Sequence, residues 1–385
     1  MHQKDVLLTN NKMEKEKYNK LIMKQISGAE AMIHCLLAEG VDLIYGYPGG
    51  AIMPVYDELY KFQKKLNHIL TRHEQGAVHA AQGFARTSGK VGVAIATSGP
   101  GATNLITGIA DALIDSTPIV CITGQVASHL LGTDAFQETD IIGISTPATK
   151  WSYQITKASE IPYVMAKAFY IARSGRPGPV LIDITKDAQF ELFDFEYKKC
   201  LGIRSYNPMP EINTKKIDEA ISIINNAKKP LLVWGQGVIL GRAEEELKSF
   251  IEKTGIPAVW TILGLSALPT SHPLNMGMVG MHGNYGPNLL TNECDVLIAV
   301  GMRFDDRVTG DLNTYAKQAK IIHLEIDPSE INKNVKVDVP ILGNCKESLG
   351  LLIKKIKQNN FSSWINHFKE LYEIEYKKVI KGDLF

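Results

Sequence analysis

Short apolar runs alternate with longer amphipathic segments along most of the chain. The runs are 43–46 (LIYG), 68–72 (HILTR), 91–97 (VGVAIAT), 119–124 (IVCITG) and 180–184 (VLIDI). Segments with helical spacing, such as PVYDELYKF, ATNLITGIADALID and IPYVMAKAFYIARS, lie between them. Near-continuous apolar strands separated by helices are typical of a parallel sheet that is covered on both faces.

A polar, irregular stretch from Phe190 to Glu211 interrupts this rhythm, which then restarts. Helical patterns recur in KKIDEAISIINNAKK and AEEELKSFIEKTG. Strands are predicted at PLLVW, PAVWTI, DVLIAVG and IIHLEID, and the chain after Val339 has a helical and basic pattern. We therefore predict an α/β fold of two doubly wound parallel-sheet domains. The predicted divisions are a disordered extension 1–24 with Met23 as an alternative start, a first domain 25–190, a linker 191–212, a second domain 213–358, and the start of another linker, 359–385.

Composition narrows the function classes. The formal net charge is +1, with 45% hydrophobic and 22% charged residues, which is typical of a globular protein and argues against a nucleic-acid partner. Apolar runs stay short of the roughly 20 residues needed to span a bilayer, so we expect no membrane partner. The five cysteines are scattered without a CxxC pair. This pattern indicates reduced thiols, a cytoplasmic location and no structural zinc site.

The segment LTRHEQGAVHAAQGFA places Glu74 in a small and apolar environment. HEQGAVH is not HExxH, because His73 and His79 would lie on different faces of a helix and could not share one zinc. We expect no metal ligands here. Two interpretations stay open: Glu74 caps a helix that begins at Gln75, or it acts on a ligand at the carboxyl end of a strand.

Several turns follow predicted strands. Two of them, ATSGPGATN and YGYPGGA, lack the glycine spacing of phosphate-binding loops, and each alone is weak evidence for a ligand site. GMRFDDRVTG crowds Arg303, Asp305, Asp306 and Arg307 behind a strand, either as a solvated turn or as an arginine fork for a phosphate or carboxylate. In IIHLEID, Glu325 stands at the end of the predicted strand, the position at which an acidic residue binds a ribose hydroxyl in nucleotide-binding sheets. WGQG would supply the glycine turn of such a site.

Taken in order, these motifs resemble the large, catalytic subunits of acetolactate synthase, a family of thiamine-diphosphate enzymes. The resemblance rests on YGYPGGAIMPVYD, TRHEQGAVHAAQGFAR, TSGPGATN, GTDAFQETDIIGIS, SGRPGPVLIDITKD, MVGMHG, GMRFDDRVTG and HLEIDPSEINKN. It implies that the first domain binds the pyrimidine ring of thiamine diphosphate and that the second, Rossmann-like domain binds FAD. The implied reaction joins two pyruvates to 2-acetolactate, or pyruvate and 2-ketobutyrate, with loss of carbon dioxide in branched-chain amino-acid biosynthesis.

The resemblance also assigns residues. Glu74 would hydrogen-bond the aminopyrimidine ring and promote its imino tautomer, and Gln137 and Lys186 would share catalytic roles. Residues near the reacting centre or substrate would be Gly49, Gly50, Ala51, Phe136, Asp306 and Arg307. FAD would contact Arg176, Gly235, Gly237, Met281, His282, Arg303 and Glu325.

The chain departs from the family pattern in three ways. The loop GQVASHL (Gly124–Leu130) lacks an expected proline and arginine, and Thr146 replaces an arginine. WGQG replaces a triple-glycine turn, and Glu325 replaces an aspartate. Family members also anchor the diphosphate through Mg²⁺ with a GDG and a later NN on a third domain, and we expect this chain to lack that domain. The implied partners are 2-keto acids, a second copy in a homodimer or larger assembly, a regulatory small subunit, and a separate chain carrying the third domain.

Two alternatives remain. The chain could be a non-catalytic, FAD-binding partner of a full-length paralogue, although retention of Glu74, Gln137, Lys186 and Arg307 favours an enzyme. Within enzymes, a flavin-linked relative such as pyruvate oxidase or glyoxylate carboligase is the other candidate, and Lys186 together with FDDRVTG argues against it.

Overall fold

The structure is a computed structural model that describes residues 25–381, apart from the side chain of Ile380. The predicted extension 1–24, with Met23, and the last four residues of the chain lie outside the described residues. The described part forms two compact units, which divide between Pro208 and Met209.

The first unit alternates strands and helices. Its strands are β1 (Gln25–Ser27), β2 (Leu43–Gly46), β3 (Asn67–Leu70), β4 (Gly92–Ala96), β5 (Ile119–Gln125), β6 (Trp151–Ile155), β7 (Pro179–Thr185) and β8 (Leu192–Asp194). Its α-helices are α1 (Gly28–Ala38), α2 (Met53–Phe62), α3 (Glu74–Ser88), α4 (Pro100–Thr103), α5 (Ile106–Ile114), α6 (Ile141–Ser145), α7 (Ile161–Arg173) and α8 (Lys186–Phe190). Short 3₁₀ turns occupy Ser128–Leu130, Thr146–Ala148 and Ala158–Glu160.

Six of these strands form a parallel sheet in the order β3-β2-β4-β5-β7-β6. Alternate residues of the central strands face opposite layers, because successive side chains of a strand point to opposite sides. Val120 and Ile122 pack under α1 and α7, whereas Cys121 packs under α3 and α5. Both faces of the sheet are therefore covered, as predicted.

The predicted linker 191–212 contains an ordered strand. β8 pairs antiparallel with β1, with Ser27 opposite Leu192. The side chain of Ser27 then caps α1 by accepting a hydrogen bond from the backbone N–H of Glu30 at 3.1 Å. Residues 25–27, which open the predicted first domain, thus form a strand.

The second unit repeats the architecture. Its strands are β9 (Pro230–Trp234), β10 (Ala258–Trp260), β11 (Asn275–Met278), β12 (Val296–Val300), β13 (Lys320–Glu325) and β14 (Val339–Leu342). Its α-helices are α9 (Thr214–Asn226), α10 (Gln236–Leu240), α11 (Glu244–Thr254), α12 (Tyr285–Thr291), α13 (Asp306–Thr309), α14 (Cys345–Lys355) and α15 (Ser362–Glu375). Ile262–Gly264 and Pro328–Glu330 are 3₁₀ turns, and Tyr376–Ile380 is a π-helical turn.

These strands form a parallel sheet in the order β11-β10-β9-β12-β13-β14. The helix predicted from AEEELKSFIEKTG is confirmed as α11, and it ends at Gly255, whose φ of +71° suits a glycine at the helix end. Segment 359–385 contributes α15, and Trp364, Phe368 and Leu371 of that helix are buried in the core. The fold class of two parallel-sheet α/β domains is confirmed. Among the helices of residues 25–381, none combines the length and apolar character that crossing a membrane requires.

Candidate functional site

A crevice is expected at the carboxyl end of the first sheet between β2 and β4. β2 pairs with β3 on one side and β4 on the other, so the loops after β2 and β4 leave in opposite directions. Open α/β sheets bind ligands at such a switch point. The loop Tyr47–Ile52 follows β2, Thr97 follows β4, and Glu74 lies four residues beyond the end of β3.

Glu74 is the first residue of α3 and is buried, with 8% of its surface exposed. The expectation that Glu74 caps this helix is wrong. The cap is His73, whose Nδ1 accepts a hydrogen bond from the backbone N–H of Gln75 at 3.1 Å. The Glu74 side chain instead meets Asn104, whose Nδ2 donates to Oε2 at 2.9 Å. The carboxylate is therefore held by a side chain from the loop after β4 and is available for a role other than capping.

Glycines bring the surrounding backbone close to Thr97. A Cβ added at Gly49 would lie 2.5 Å from the Thr97 side chain, and one at Gly101 would lie 2.7 Å from Thr97 and 3.3 Å from Glu74 Oε1. The Thr97 hydroxyl accepts a hydrogen bond from the backbone N–H of Ala51 at 3.3 Å. Gly50 is different, since a Cβ there would meet nothing within 4 Å. Gly101 thus keeps the space beside Glu74 Oε1 free of a side chain, while Gly50 borders open space.

The loop that carries Phe136 and Gln137 reaches the same edge of the sheet. A Cβ added at Gly99, which precedes α4, would lie 2.7 Å from the Gln137 carbonyl oxygen. Gln137 has a φ of +59°, which is unfavourable for a residue with a side chain. The Glu138 carboxylate holds the loop by accepting backbone N–H groups of Gly132 and Ala135, and the hydrogen bond from Gly132 is the main cause that lowers the pKa of Glu138. Phe136 is 87% exposed.

Lys186 opens α8 directly after β7 and is exposed. From the same short helix, Gln189 Nε2 donates a hydrogen bond to the Ala51 carbonyl oxygen at 2.8 Å. The helix that starts with Lys186 therefore contacts the loop of Gly49, Gly50 and Ala51. The structure brings Glu74, Gly49, Ala51 and Gln137 around Thr97 and Gly99, with Lys186 linked to them through Gln189.

The second unit has its own switch point, between β9 and β12. A Cβ at Gly235 would lie 2.6 Å from Gly301 O, and one at Gly237 would lie 2.6 Å from Gly301 Cα. The N–H of Gly237 donates to Gly301 O at 2.8 Å. Glycines at 235 and 237 therefore allow the loops after β9 and β12 to pack backbone against backbone.

The arginine cluster follows β12. Asp305 caps α13, since its Oδ1 accepts the N–H groups of Arg307 and Val308 at 3.1 and 3.2 Å. Arg303 lies 3.6 Å from Asp305, and Arg307 lies 3.7 Å from Asp306. The Arg307 side chain is 69% exposed, and that of Asp306 is 78% exposed. The Arg307 guanidinium is therefore displayed to solvent on a firmly capped turn.

Met281 and His282 lie on an exposed loop beside Arg307. The N–H of Met281 donates to the Arg307 carbonyl oxygen at 2.7 Å. Asn288 holds Gly280, the residue before Met281, at two points. Its side-chain amide oxygen accepts a hydrogen bond from Gly280 N at 2.8 Å, and its amide nitrogen donates one to Gly280 O at 2.9 Å. Met281, His282 and Arg307 consequently belong to one cluster.

Glu325 ends β13 and is buried, with 6% of its surface exposed. Its Oε1 accepts the N–H groups of Ile326 and Asp327 at 2.9 and 3.1 Å, and its Oε2 lies 3.6 Å from His323 Nε2. Arg176 lies in the first unit, where its Nε donates to the Ser116 hydroxyl at 2.9 Å.

Sequence reasoning missed four residues that hold this machinery: Thr97, Asn104, Gln189 and Asn288. Thr97 and Asn104 stand inside the quoted motif ATSGPGATN, but nothing in the sequence indicates which distant partner each one meets. Among residues 25–381, no group of three or more His, Cys, Asp or Glu side chains is placed to hold a metal ion.

Comparison with known families agrees with this geometry. The N-terminal TPP binding domain of thiamine pyrophosphate enzymes matches residues 26–144. The central domain of the same enzymes matches residues 217–352. The two matches fall in the first and second units respectively.

The chain is similar to proteins named as acetolactate synthases or as large subunits of that enzyme. The chain is 50% identical to the acetolactate synthase large subunit of Corynebacterium glutamicum over 353 residues, which are 90% of this chain and 56% of the relative. It is 46% identical to the acetolactate synthase of Mycobacterium bovis over 371 residues, 94% of this chain and 60% of the relative. It is 48% identical to the probable acetolactate synthase large subunit of Methanocaldococcus jannaschii over 357 residues, 91% of this chain and 60% of the relative.

The chain thus spans 56–60% of the length of these relatives. Both units nevertheless match thiamine pyrophosphate enzymes, and the similarity to the relatives runs through nearly the whole chain. The chain belongs to the thiamine pyrophosphate enzymes, and it is similar along most of its length to acetolactate synthase large subunits.

Proposed function

We propose that this chain forms the pyrimidine-binding and flavin-binding part of an acetolactate synthase. Together with a region that holds the diphosphate of thiamine diphosphate through Mg²⁺, it joins two pyruvates to 2-acetolactate, or pyruvate and 2-ketobutyrate to 2-aceto-2-hydroxybutyrate, and releases carbon dioxide. The observation that carries the proposal is the buried Glu74 carboxylate, which Asn104 holds at one oxygen while Gly101 leaves room beside the other.

The residues of the first unit fit the aminopyrimidine end of thiamine diphosphate. Glu74 Oε1 is a hydrogen-bond acceptor next to a glycine-lined space, where it can hold and exchange a proton with a ring nitrogen. Bound thiamine diphosphate supplies the electron sink for the carbanion chemistry. The chain's own contribution is orientation and proton transfer, with Gly49 beside the cofactor.

The substrate side is proposed from loops of the first unit and, separately, from the arginine cluster of the second unit. Gly50 and Ala51 border the reacting centre, Phe136 covers it with an apolar ring, and Gln137 offers an amide to the reacting oxygen atoms. Lys186, at the end of β7, attracts the negatively charged 2-keto acid. The planar guanidinium of Arg307 binds the carboxylate of the incoming acid in two-point fashion, and Asp306 adjoins it.

FAD is proposed for the second unit, and Arg176, which the resemblance also assigns to FAD, belongs to the first unit. The exposed Met281 and His282, the partly exposed Arg303 and the glycine turn at 235–237 supply a surface, a cation and close backbone approach. Glu325 binds its own turn through Oε1, so Oε2 is the atom we assign to a ribose hydroxyl. The reaction has no net redox change, so the flavin is structural.

The proposed partners follow from the same function. They are 2-keto acids as substrates, a second copy in a homodimer or larger assembly, a regulatory small subunit, and a chain or region that carries the third domain. We place the protein in the cytoplasm, in the synthesis of isoleucine and valine.

The test is acetolactate formation from pyruvate, thiamine diphosphate, Mg²⁺ and FAD by the protein purified from its source with everything that stays bound. Glu74→Gln should lower kcat by about 100-fold or more, since general acid–base groups contribute on this scale. Glu196→Gln is the matched control, because Glu196 is an exposed carboxylate of the same unit, 3.0 Å from Lys198. Equal rates for the two variants would overturn the role of Glu74.

The products separate the alternatives. Acetyl phosphate from pyruvate would assign the chain to a pyruvate oxidase. Stable association with a full-length paralogue, FAD binding and no effect of Glu74→Gln on that assembly's activity would identify a non-catalytic partner.

A further inference from the structure

A buried carboxylate lies at the carboxyl end of the first sheet without a place in the chemistry above. Asp183 is in β7 and has no exposed surface. It accepts hydrogen bonds from three neutral side chains: Thr123 Oγ1 at 2.6 Å, Gln125 Nε2 at 3.1 Å and Gln154 Nε2 at 2.9 Å. Burial raises the pKa of Asp183 to about 6, since these hydrogen bonds only partly offset it. Burying a carboxylate beside neutral donors is costly, and an apolar core does not require one.

Gln125 connects this carboxylate to the surface. Its Nε2 has two N–H groups: one donates to Asp183 Oδ2, and the other donates to the Thr139 carbonyl oxygen at 2.9 Å. Its Oε1 accepts the backbone N–H of Val126 at 2.9 Å. An ionised carboxylate accepts hydrogen bonds and donates none, so Asp183 favours the amide orientation in which the NH₂ group of Gln125 also meets the Thr139 carbonyl oxygen and Oε1 meets the Val126 N–H.

Thr139 closes the loop that carries Phe136 and Gln137. Within the loop, the Glu138 carboxylate accepts backbone N–H groups of Gly132 and Ala135. Gln137 is held at a φ of +59°, which persists only where the surroundings enforce it. The bond from Gln125 to Thr139 is the point at which the internal clamp of the loop is tied to the sheet.

We propose that Asp183 is a positioning residue, which orients Gln125 so that it anchors Thr139 and thereby holds Phe136 and Gln137 at the edge of the site. The functional meaning of this loop rests on the proposed function above. The anchoring itself is a property of the folded chain and is measurable without catalysis.

The chain offers a matched pair of variants. Gln125 and Gln154 each donate from an amide nitrogen to the same Asp183 oxygen, but only Gln125 also reaches Thr139. Hydrogen–deuterium exchange on the native assembly should show backbone exchange of residues 132–138 about tenfold faster in Gln125→Met, the scale of one lost hydrogen bond. Gln154→Met should leave exchange of this loop at the wild-type rate.

Variants at Asp183 assign the effect to the carboxylate. Asp183→Leu should reproduce the faster loop exchange, and Asp183→Asn, which keeps one acceptor oxygen but loses the charge, should exchange faster than the wild type and no faster than Asp183→Leu. Faster exchange in Gln125→Met with a wild-type loop in Asp183→Leu would overturn the role of Asp183. If Asp183→Leu does not fold, the exchange rate of the loop in Asp183→Asn decides. A rate equal to that of Gln125→Met, or between it and the wild-type rate, supports the proposal. A rate equal to that of the wild type overturns it. Because no readout involves turnover, these results stand whether or not acetolactate is formed.

Discussion

Asn104 donates a 2.9 Å hydrogen bond from Nδ2 to Oε2 of Glu74, and so joins the loop after β4 to the start of the helix after β3. The two residues stand on opposite sides of the switch point, since β3 and β4 both flank β2. One carboxylate oxygen is thereby fixed, and the other faces the position where Gly101 has no side chain. A hydrogen bond to a charged acceptor is stronger than one between neutral groups, so this contact holds the carboxylate in one orientation.

Asn104→Ala should lower the rate of acetolactate formation by about tenfold, because Glu74 loses the donor that orients it. Activity and thiamine diphosphate affinity are measured on the native assembly. Asn226→Ala is the control, because Asn226 is an exposed amide that donates to Ser222 O on α9. An unchanged rate in Asn104→Ala would show that Glu74 needs no orienting partner.

Two neighbouring glycines should differ in how much the same substitution destabilises the fold. Gly49→Ala places a Cβ 2.5 Å from Thr97 and should destabilise the fold by about 2 kcal/mol, a typical cost of overpacking. Gly50→Ala meets nothing within 4 Å and should change the free energy of unfolding by less than about 0.5 kcal/mol. Denaturant unfolding measures both values. Equal stabilities would mean that the loop moves away from Thr97 at no cost.

The sequence pattern predicted the central strands and missed edge strands. β5 and β7 are buried along their whole length and read as continuous apolar runs. The strands that the pattern did not show are β1, β6, β8, β11 and β14, and each of them lies at an edge of a sheet, because β1 and β8 form a two-stranded sheet of their own. An edge strand pairs on one side only and tolerates polar residues or proline, as in WSYQI and VPIL, so its signal is weak.

The sequence predicted the candidate site only in part, since it located the motifs but not the partners of their side chains. The motifs located Glu74 and the glycine loops at strand ends, because parallel strands deliver their carboxyl ends to one edge. The partners of Glu74 and Ala51 were not predictable, since Asn104 and Gln189 approach them across the fold rather than along the chain. Of the two interpretations of Glu74, capping failed for a local reason, because the imidazole nitrogen of His73 takes the role that a carboxylate usually fills.

Arg307→Lys should raise the KM for the 2-keto acid by about tenfold or more, because a lysine ammonium cannot form the planar two-point contact of a guanidinium. Arg307 is largely exposed, so thermal stability should stay at the wild-type value. Asp306→Ala is the companion variant. Its 3.7 Å contact with Arg307 is exposed on both sides and should change KM by less than about fivefold. A KM unaffected by Arg307→Lys would remove Arg307 from the substrate site.

Asp183→Asn should stabilise the protein, and more strongly at neutral than at acid pH. The pKa of Asp183 is about 6 in the folded protein, chiefly through burial and with Asp140 adding to the effect, against 3.8 as its ordinary value. The folded state therefore binds the proton more tightly than the unfolded state does. The resulting penalty is full above pH 6, fades as the pH falls toward 3.8, and amounts to about 3 kcal/mol at most.

Thermal unfolding of wild type and Asp183→Asn at pH 7.5 and pH 4.5 measures this difference. The variant should gain melting temperature at pH 7.5 and lose most of that gain at pH 4.5. For Asp338 the pKa is shifted in the opposite direction, below its ordinary value. Burial alone would raise this pKa, but hydrogen bonds from Ile321 N and Lys320 outweigh the effect of burial. Asp338→Asn should therefore destabilise the protein at pH 7.5. A gain for Asp183→Asn that is independent of pH would mean that the pKa of Asp183 is the same in the folded and the unfolded protein, and that the cost of the carboxylate comes from hydrogen-bond geometry rather than from a shifted pKa.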